Sequence, residues 1–226
     1  MSNCALLLFA KSTLLETNSK KIVVSDKENA SIWNILNAKT SKIAQKSKLP
    51  FFIADESVQV GNSFGERISN AIQNIFDKGF EKVIVIGNDC PELSTFHIKS
   101  AAEKLLKNDF VFGPDFKGGA YLLGISKSEF NTIDFENFKW QSTSLFKDLT
   151  TFYNQKRVSI LPFLNDVNDF FSFKKAVHNL KFKSKLKTHL LTFLTFINQS
   201  FDVVISKIII FKFLFLKYRG PPAVRF

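Results

Sequence analysis

The sequence predicts an α/β fold: a mostly parallel sheet with helices packed on both faces. Three observations predict it. Short apolar runs alternate along the chain with longer amphipathic stretches, the order that builds parallel strands joined by right-handed crossovers. Val83-Ile84-Val85-Ile86 is continuously β-branched, as suits a strand buried on both faces. Just upstream, Ile68, Ala71, Ile72, Ile75 and Phe76 fall at i, i+3, i+4 spacing, and Ser63 with Glu66 makes a capping-box pattern at the head of that helix.

The elements follow in order. The apolar run from Cys4 to Phe9 reads as the first strand, ending at Ala10-Lys11, and residues 21–24 read as a second. Ile32, Ile35, Leu36 and Ile43 mark a helix over residues 28–46, which Pro50 closes before the strand Phe51-Phe52-Ile53. Lys78-Gly79 ends the helix that Ser63 begins. Ile98, Ala101, Ala102, Leu105 and Leu106 define the next helix, and Phe110 to Phe112 the next strand. Residues 121–125 supply another strand, 143–153 a helix, 158–161 a short strand and 169–180 a closing helix. The layout is Rossmann-like and contains no internal repeat.

Composition bounds the function. A chain of 226 residues accommodates one well-buried domain and an appendage. An apolar content of 45% that includes 27 Phe excludes a disordered chain, because that much burial offsets the entropy of ordering the backbone. The formal charge of +11 is uneven: residues 181–226 hold nine Lys or Arg against one acid and carry +8, leaving +3 for the rest. Two cysteines, Cys4 and Cys90, make no disulfide framework and have no metal-ligand spacing, which fits a reducing compartment. The run from Ala5 to Ala10 is too short for a secretory segment and lacks a preceding positive charge, so a cytoplasmic location is expected.

Ligands of open α/β sheets bind beyond the carboxyl ends of the strands. The turn Gly87-Asn88-Asp89-Cys90-Pro91 stands at such an end. Asp89 offers a hard oxygen to a divalent cation, with Asn88 orienting it; the alternative is an ordinary turn or helix-capping residue. Gly113-Pro114-Asp115-Phe116-Lys117-Gly118-Gly119 follows the next strand, and its paired glycines either admit a ligand close to the backbone or simply turn a hairpin. Arg67, beside the capping Glu66, is a candidate for a phosphate. Trp140 is a candidate for stacking on a sugar or base, with a core role as the alternative. His97, His178 and His189 are scattered without a motif and are assigned nothing.

Four motifs together resemble a GT-A-fold transferase-like family known both as arsenosugar-biosynthesis glycosyltransferase-like and as a domain of unknown function. GNSFGERI over Gly61 to Ile68 is similar to G-x-x-L-G-E-R-M, and VIVIGNDCPEL over Val83 to Leu93 to a strand ending in G-T/N-D-C-P-x-L. VFGPDFKGGAYLLGI over Val111 to Ile125 is similar to V-L-G-P-x-x-D-G-G-Y-Y-L-I-G, and LNDVNDF over Leu164 to Phe170 to D-I-D-T-x-x-D-L. The resemblance runs from about Gly61 to Asp169. It implies a three-layer nucleotide-diphospho-sugar transferase (GT-A) sheet over residues 1–180, followed by a basic, apolar extension over 181–226.

The resemblance also implies a site. Asp89 takes the cation and diphosphate position, with Asn168 or Asp166 as a second ligand from a distant loop and Mg²⁺ or Mn²⁺ as the cation. Lys11, Arg67, Gly87, Asn88, Gly113, Gly118, Gly119, Tyr121 and Trp140 are the implied nucleotide- or substrate-binding set. The chain departs from the family at Lys117, where an Asp precedes the Gly-Gly pair, and after Lys11, where STLLETNSKK lacks the Gly and Arg of the family's phosphate-facing loop. Lys20 or Lys21 supplies one charge there, though not the bidentate grip of Arg.

The implied activity is glycosyl transfer from a nucleotide-activated sugar to an acceptor that the sequence does not identify. Nucleotidyl transfer from an NTP to a phosphorylated acceptor is the alternative, as is a catalytically silent binding protein. In the extension, Leu190, Leu191, Leu194 and Ile197 suit a helix, while Asp202, Lys207 and Lys212 argue against a membrane span in the apolar run that follows. The extension reads as an element docked on the core or as a peripheral contact with an anionic inner membrane face. No nucleic-acid partner is expected, because no recognition motif accompanies the charge.

Overall fold

The computed structural model describes residues 3–194. Its elements are β1 (Cys4–Phe9), α1 (Thr13–Ser19), α2 (Asp26–Ser47), β2 (Phe51–Ala54), α3 (Phe64–Asp77), β3 (Lys82–Ile86), α4 (Thr95–Lys104), β4 (Phe110–Pro114) and β5 (Ala120–Ser126). After a 3-10 turn at Lys127–Glu129 come α5 (Thr132–Asn137), α6 (Leu145–Phe152), β6 (Val158–Ile160) and α7 (Phe170–Asn179). The six strands form one sheet in the order β2-β1-β3-β5-β4-β6. β1 pairs in parallel with β2 and β3, and β4 in parallel with β6. β5 alone runs antiparallel, to β3 and β4, because the tight turn after Pro114 returns it as a hairpin rather than through a helix. The three-layer α/β architecture with a mostly parallel sheet is therefore as expected.

Period-2 alternation divides the core. Ala5, Leu7, Phe9, Val83 and Val85 face the side covered by α3, α5 and α6, where Ile68, Ile72, Phe76, Phe135 and Leu149 join them. Cys4, Leu6, Leu8, Ile84 and Ile86 face the other side with Ile98, Ala101 and Leu105. Both faces of the central strands are thus dry, which is why these strands read as continuous apolar runs. Phe110 stacks on Tyr153 at 3.8 Å between centroids.

Helix starts obey local chemistry. Ser63 accepts the Glu66 N–H at 3.0 Å, but the Glu66 carboxylate takes the Asn62 N–H rather than that of Ser63, so the cap holds one residue further back than a reciprocal box would. Ser25 caps α2 through the Glu28 N–H, and Lys48 ends it in a left-handed conformation before Pro50. Gly65 is required by contact: a Cβ there would stand 2.3 Å from the Glu136 carbonyl oxygen, where α3 meets α5.

One expected strand is absent. Residues 21–24 are irregular, although Ile22 and Val23 are buried. Both edges of β1 are already taken by β2 and β3, so the segment cannot pair beside it. Buried Asn29 instead accepts the Ile22 N–H and donates to the Thr17 and Lys20 carbonyls just before the segment. The helix α1 fills the stretch after Ser12, and neither it nor α5 is marked by long periodicity.

Cys4 and Cys90 are free thiols, each 2% exposed. Burial pushes the Cys4 thiol up to about 11 and the Cys90 thiol well above its usual range. Neither thiol is therefore expected to react with an aromatic disulfide reagent in the folded protein at neutral pH, whereas both react once guanidinium unfolds it.

The chain divides after Leu180, and residues from 181 onward belong to a second unit. Of these, residues 185–194 are helical, which covers the expected Leu190, Leu191 and Leu194, while Ile197 and the apolar run with Asp202, Lys207 and Lys212 lie outside the described residues. Among the described residues no helix is long and apolar enough to cross a membrane.

Candidate functional site

A cleft of about 760 Å³ opens beyond the carboxyl ends of β1 and β3, where the chain leaves β1 toward one edge of the sheet and β3 toward the other. It is built from four turns. Ala10 and Lys11 follow β1, and Gly87, Asn88 and Asp89 follow β3. The hairpin between β4 and β5 brings Asp115, Lys117 and Gly119 to the same end, because β5 begins where β3 stops. Asp166 and Asn168 arrive from the segment before α7. That segment is held between the other two turns: Leu164 bridges to Asp115, and Val167 N–H donates to the Asp89 carbonyl at 2.8 Å.

The result is a concentration of carboxylates. Asp89, Asp115, Asp166 and Glu16 all line the cleft, and Asp115, Asp166 and Glu16 are each less than 10% exposed. Burial and then the neighbouring Asp89 and Asp115 push the Asp166 carboxyl well above the usual range. Asp166 Oδ1 and Glu16 Oε2 are buried without a hydrogen-bond partner. Unpaired carboxylate oxygens beside further carboxylates are the donor set of a hard cation. Among the described residues no three His, Cys, Asp or Glu side chains close on a common point, so one or two carboxylates with water or ligand oxygens is the coordination these residues fit.

Asp115 is fixed by its own turn. Its Oδ1 accepts the N–H groups of Lys117 at 2.6 Å and Gly119 at 2.9 Å. A Cβ on Gly119 would lie 2.5 Å from Asp115 Oδ2, so glycine is what lets the carboxylate fold over the turn. Gly118, at φ +89°, is required for a different reason, since a Cβ there would meet the Thr143 carbonyl oxygen at 1.9 Å.

Positive charge and aromatic surface complete the walls. Lys20 reaches from the end of α1 to Asp89, 2.6 Å from Nζ to Oδ2. Lys11 and Arg67 line the same cleft, and Arg67 Nη1 donates to the Asn62 carbonyl at 3.2 Å. Trp140 packs at 5.5 Å from Phe64 and donates its indole N–H to the Phe135 carbonyl, so it is both half-buried support and cleft wall.

Of the residues singled out in sequence, Lys11, Arg67, Gly87, Asn88, Asp89, Gly119, Tyr121, Trp140, Asp166 and Asn168 line one cleft. Gly113 and Gly118 do not line it. Gly113 makes room for the Tyr121 ring, which a Cβ would approach to 2.5 Å. Tyr121 is 1% exposed, with its hydroxyl donated to the Pro162 carbonyl, and Asn88 is 3% exposed, with its amide donated to Asn37 Oδ1. Sequence reasoning missed Glu16 altogether, since a lone acid in a seven-residue helix carries no periodic signal. His97 caps α4, its Nδ1 accepting the Ser94 N–H at 3.1 Å.

Lys117, where the family carries an acid, turns to the rim and pairs with Asp169 at 2.9 Å. Asp169 is the N-cap of α7, accepting the Ser172 N–H at 2.7 Å. Burial opposes its ionisation, but the Ser172 N–H and Lys117 outweigh burial and hold the carboxyl down at about 2. A depressed carboxyl stabilises the fold fully above its unfolded value, and the contribution disappears as pH falls through the folded one. Asp169→Ala is therefore expected to cost about 1 kcal/mol at neutral pH, a difference that urea unfolding should show shrinking below roughly pH 4.

Comparison with known proteins places this fold. A candidate nucleotide-diphospho-sugar transferase from Desulfovibrio desulfuricans G20 superposes with a TM-score of 0.72 at 22% identity, over 88% of this chain and 98% of that one. Rv0371c from Mycobacterium tuberculosis H37Rv gives 0.50 at 7% identity, over 79% and 98% of the two chains. The same protein has been solved in complex with manganese, a structure similar at a TM-score of 0.49 with 7% identity, over 79% and 99%. No curated protein matches the sequence. The chain has the nucleotide-diphospho-sugar transferase fold. Residues 24–142 match the family described as "Uncharacterized protein conserved in bacteria (DUF2064)", and the chain belongs to that family.

Proposed function

We propose that the protein is a glycosyltransferase-like enzyme that binds a nucleotide-activated sugar together with a divalent cation in the cleft at Asp89. The observation that carries this reading is the buried, unpartnered Asp166 Oδ1 in a cleft that Asp89, Asp115 and Glu16 also line. Asp89 and Asp166, with Asn168 beside them, would hold Mg²⁺ or Mn²⁺. When bound, such a cation supplies neutralisation of a diphosphate leaving group. Lys11 and Arg67 place positive charge on the same walls for phosphate oxygens, and the Phe64–Trp140 wall offers an apolar face to a sugar or base.

Calorimetry with UDP-, GDP-, CDP- and ADP-sugars and NTPs, each with and without Mg²⁺ or Mn²⁺, tests the reading. Cation-dependent binding of a nucleotide sugar is the expected result; no nucleotide binding under any condition would sink it. Preference for an NTP, with pyrophosphate as product, would instead favour nucleotidyl transfer. We further propose that residues 1–180 are the transferase domain and that the basic stretch over 181–226 is an appendage that binds an anionic membrane surface from the cytoplasmic side. Unchanged partitioning onto anionic liposomes after its removal would defeat the membrane role.

A further inference from the structure

We propose that Lys20 is the resident counter-ion of the carboxylate cluster, displaced from Asp89 when a divalent cation binds, and that it thereby sets the cation affinity of the site. The inference rests on the cation reading of the same cleft.

Three observations carry it. Lys20 Nζ lies 2.6 Å from Asp89 Oδ2, with the two side chains only 27% and 20% exposed, so the pair is shielded from screening by solvent. The ammonium also stands 5.6 Å from the centre of the Trp33 ring, whose face favours a cation. Glu16, on the preceding turn of α1, and Asp166 share the cleft and add attraction.

The backbone of Lys20 is independently anchored. Its carbonyl accepts Asn29 Nδ2 at 3.0 Å and Trp33 Nε1 at 3.2 Å, and its N–H donates to the Glu16 carbonyl at 2.8 Å. Only the side chain is committed to Asp89, and a flexible four-carbon stem can leave without disturbing the turn. An ammonium and a divalent ion held at the same carboxylate repel each other. A divalent ion coming to Asp89 therefore favours withdrawal of the ammonium, and its net affinity is lowered by whatever the Lys20–Asp89 pair contributes.

Binding of Mn²⁺ alone to the full chain, followed by the loss of the free-ion electron paramagnetic resonance signal, tests this without reference to turnover. Lys20→Met is expected to bind Mn²⁺ at least about tenfold more tightly than the wild type, as removal of one close competing charge implies, and Lys20→Gln, a second charge-free variant, should do the same. Lys20→Arg, which keeps the charge, is expected to stay within about threefold of the wild type. In the absence of metal Lys20→Met should melt below the wild type, with Mn²⁺ restoring it, because Asp89, Asp166 and Glu16 then lack a cation. Equal or weaker Mn²⁺ binding by folded Lys20→Met and Lys20→Gln would overturn the role of Lys20 and leave the cation site standing. Absence of Mn²⁺ binding in the wild type and both variants alike would overturn the cation site and this inference with it.

Discussion

Asp89→Asn is expected to abolish cation-dependent binding of a nucleotide sugar, weakening it by about 100-fold or more, since even the loss of a residue that merely supports a metal ligand costs about 10–100-fold. The substitution is chosen to leave the turn intact. Val167 N–H bonds to the backbone carbonyl of residue 89, and Asn88 is held by its own amide bond to Asn37, so neither depends on the Asp89 carboxylate. What changes is charge. Asn keeps the shape of the side chain but gives a divalent cation a neutral carbonyl oxygen, and it releases Lys20 from a 2.6 Å ion pair. Calorimetric titration with the ligand that binds the wild type, with and without Mn²⁺, reads the loss directly. If residual binding in the variant were equal with and without metal, Asp89 would stand as the ligand; if cation dependence survived undiminished, the cation would sit elsewhere.

Trp33→Ala is expected to be the most damaging change away from the cleft floor, costing about 3–5 kcal/mol, against the roughly 5–15 kcal/mol that holds a domain of this kind together. Trp33 is fully buried on α2, and its indole N–H donates to the Lys20 carbonyl at 3.2 Å. The change therefore opens a cavity and also frees the end of α1 that presents Lys20. Trp33→Phe keeps most of the volume but loses the N–H, leaving one of the two donors to that carbonyl; its expected cost is nearer about 1–2 kcal/mol. Urea denaturation of the two variants separates packing from hydrogen bonding, and a Trp33→Ala midpoint equal to that of the wild type would contradict the placement of this side chain.

Most of the fold was legible because burial writes itself into sequence. β1 and β3 are dry on both faces, so their apolar runs are unbroken, and α3 carries its stripe and its Ser63 cap in plain view. Residues 21–24 show the limit of that logic. Ile22 and Val23 are apolar and buried, as a strand would be, but burial does not say whether they pair in a ladder; Asn29, a polar residue inside a helix, takes the Ile22 N–H instead. The short helices α1 and α5 contain too few turns to repeat a pattern.

The site was legible in a different way. Asp89 lies far along the chain from Asp166 and Asn168, and periodicity does not relate them; the resemblance of motifs did. Glu16 escaped, and Lys20 is legible only as a charge in the first loop, because both lie where this chain departs from the family; what places them in the cleft is the packing of α1 against Asn29 and Trp33 of α2. Asp115 could be suspected from its turn, but its burial against Gly119 depends on the missing Cβ and appears only in three dimensions. Lys117 looked like the loss of an acid from the site, yet Asp115 supplies a carboxylate to the same cleft while Lys117 pairs at the rim with Asp169.

In the proposed function the carboxylates around Asp89 receive a divalent cation beside the diphosphate of a nucleotide-activated sugar. Anomalous diffraction from crystals of the full chain grown with Mn²⁺ and the tightest-binding nucleotide sugar tests it most directly. An anomalous peak in the cleft bound by Asp89 and by Asp166 or Asn168, with the diphosphate against it and Lys20 withdrawn, is the expected result. A nucleotide sugar bound in the cleft with no peak at Asp89, or a peak held by other residues, would contradict it.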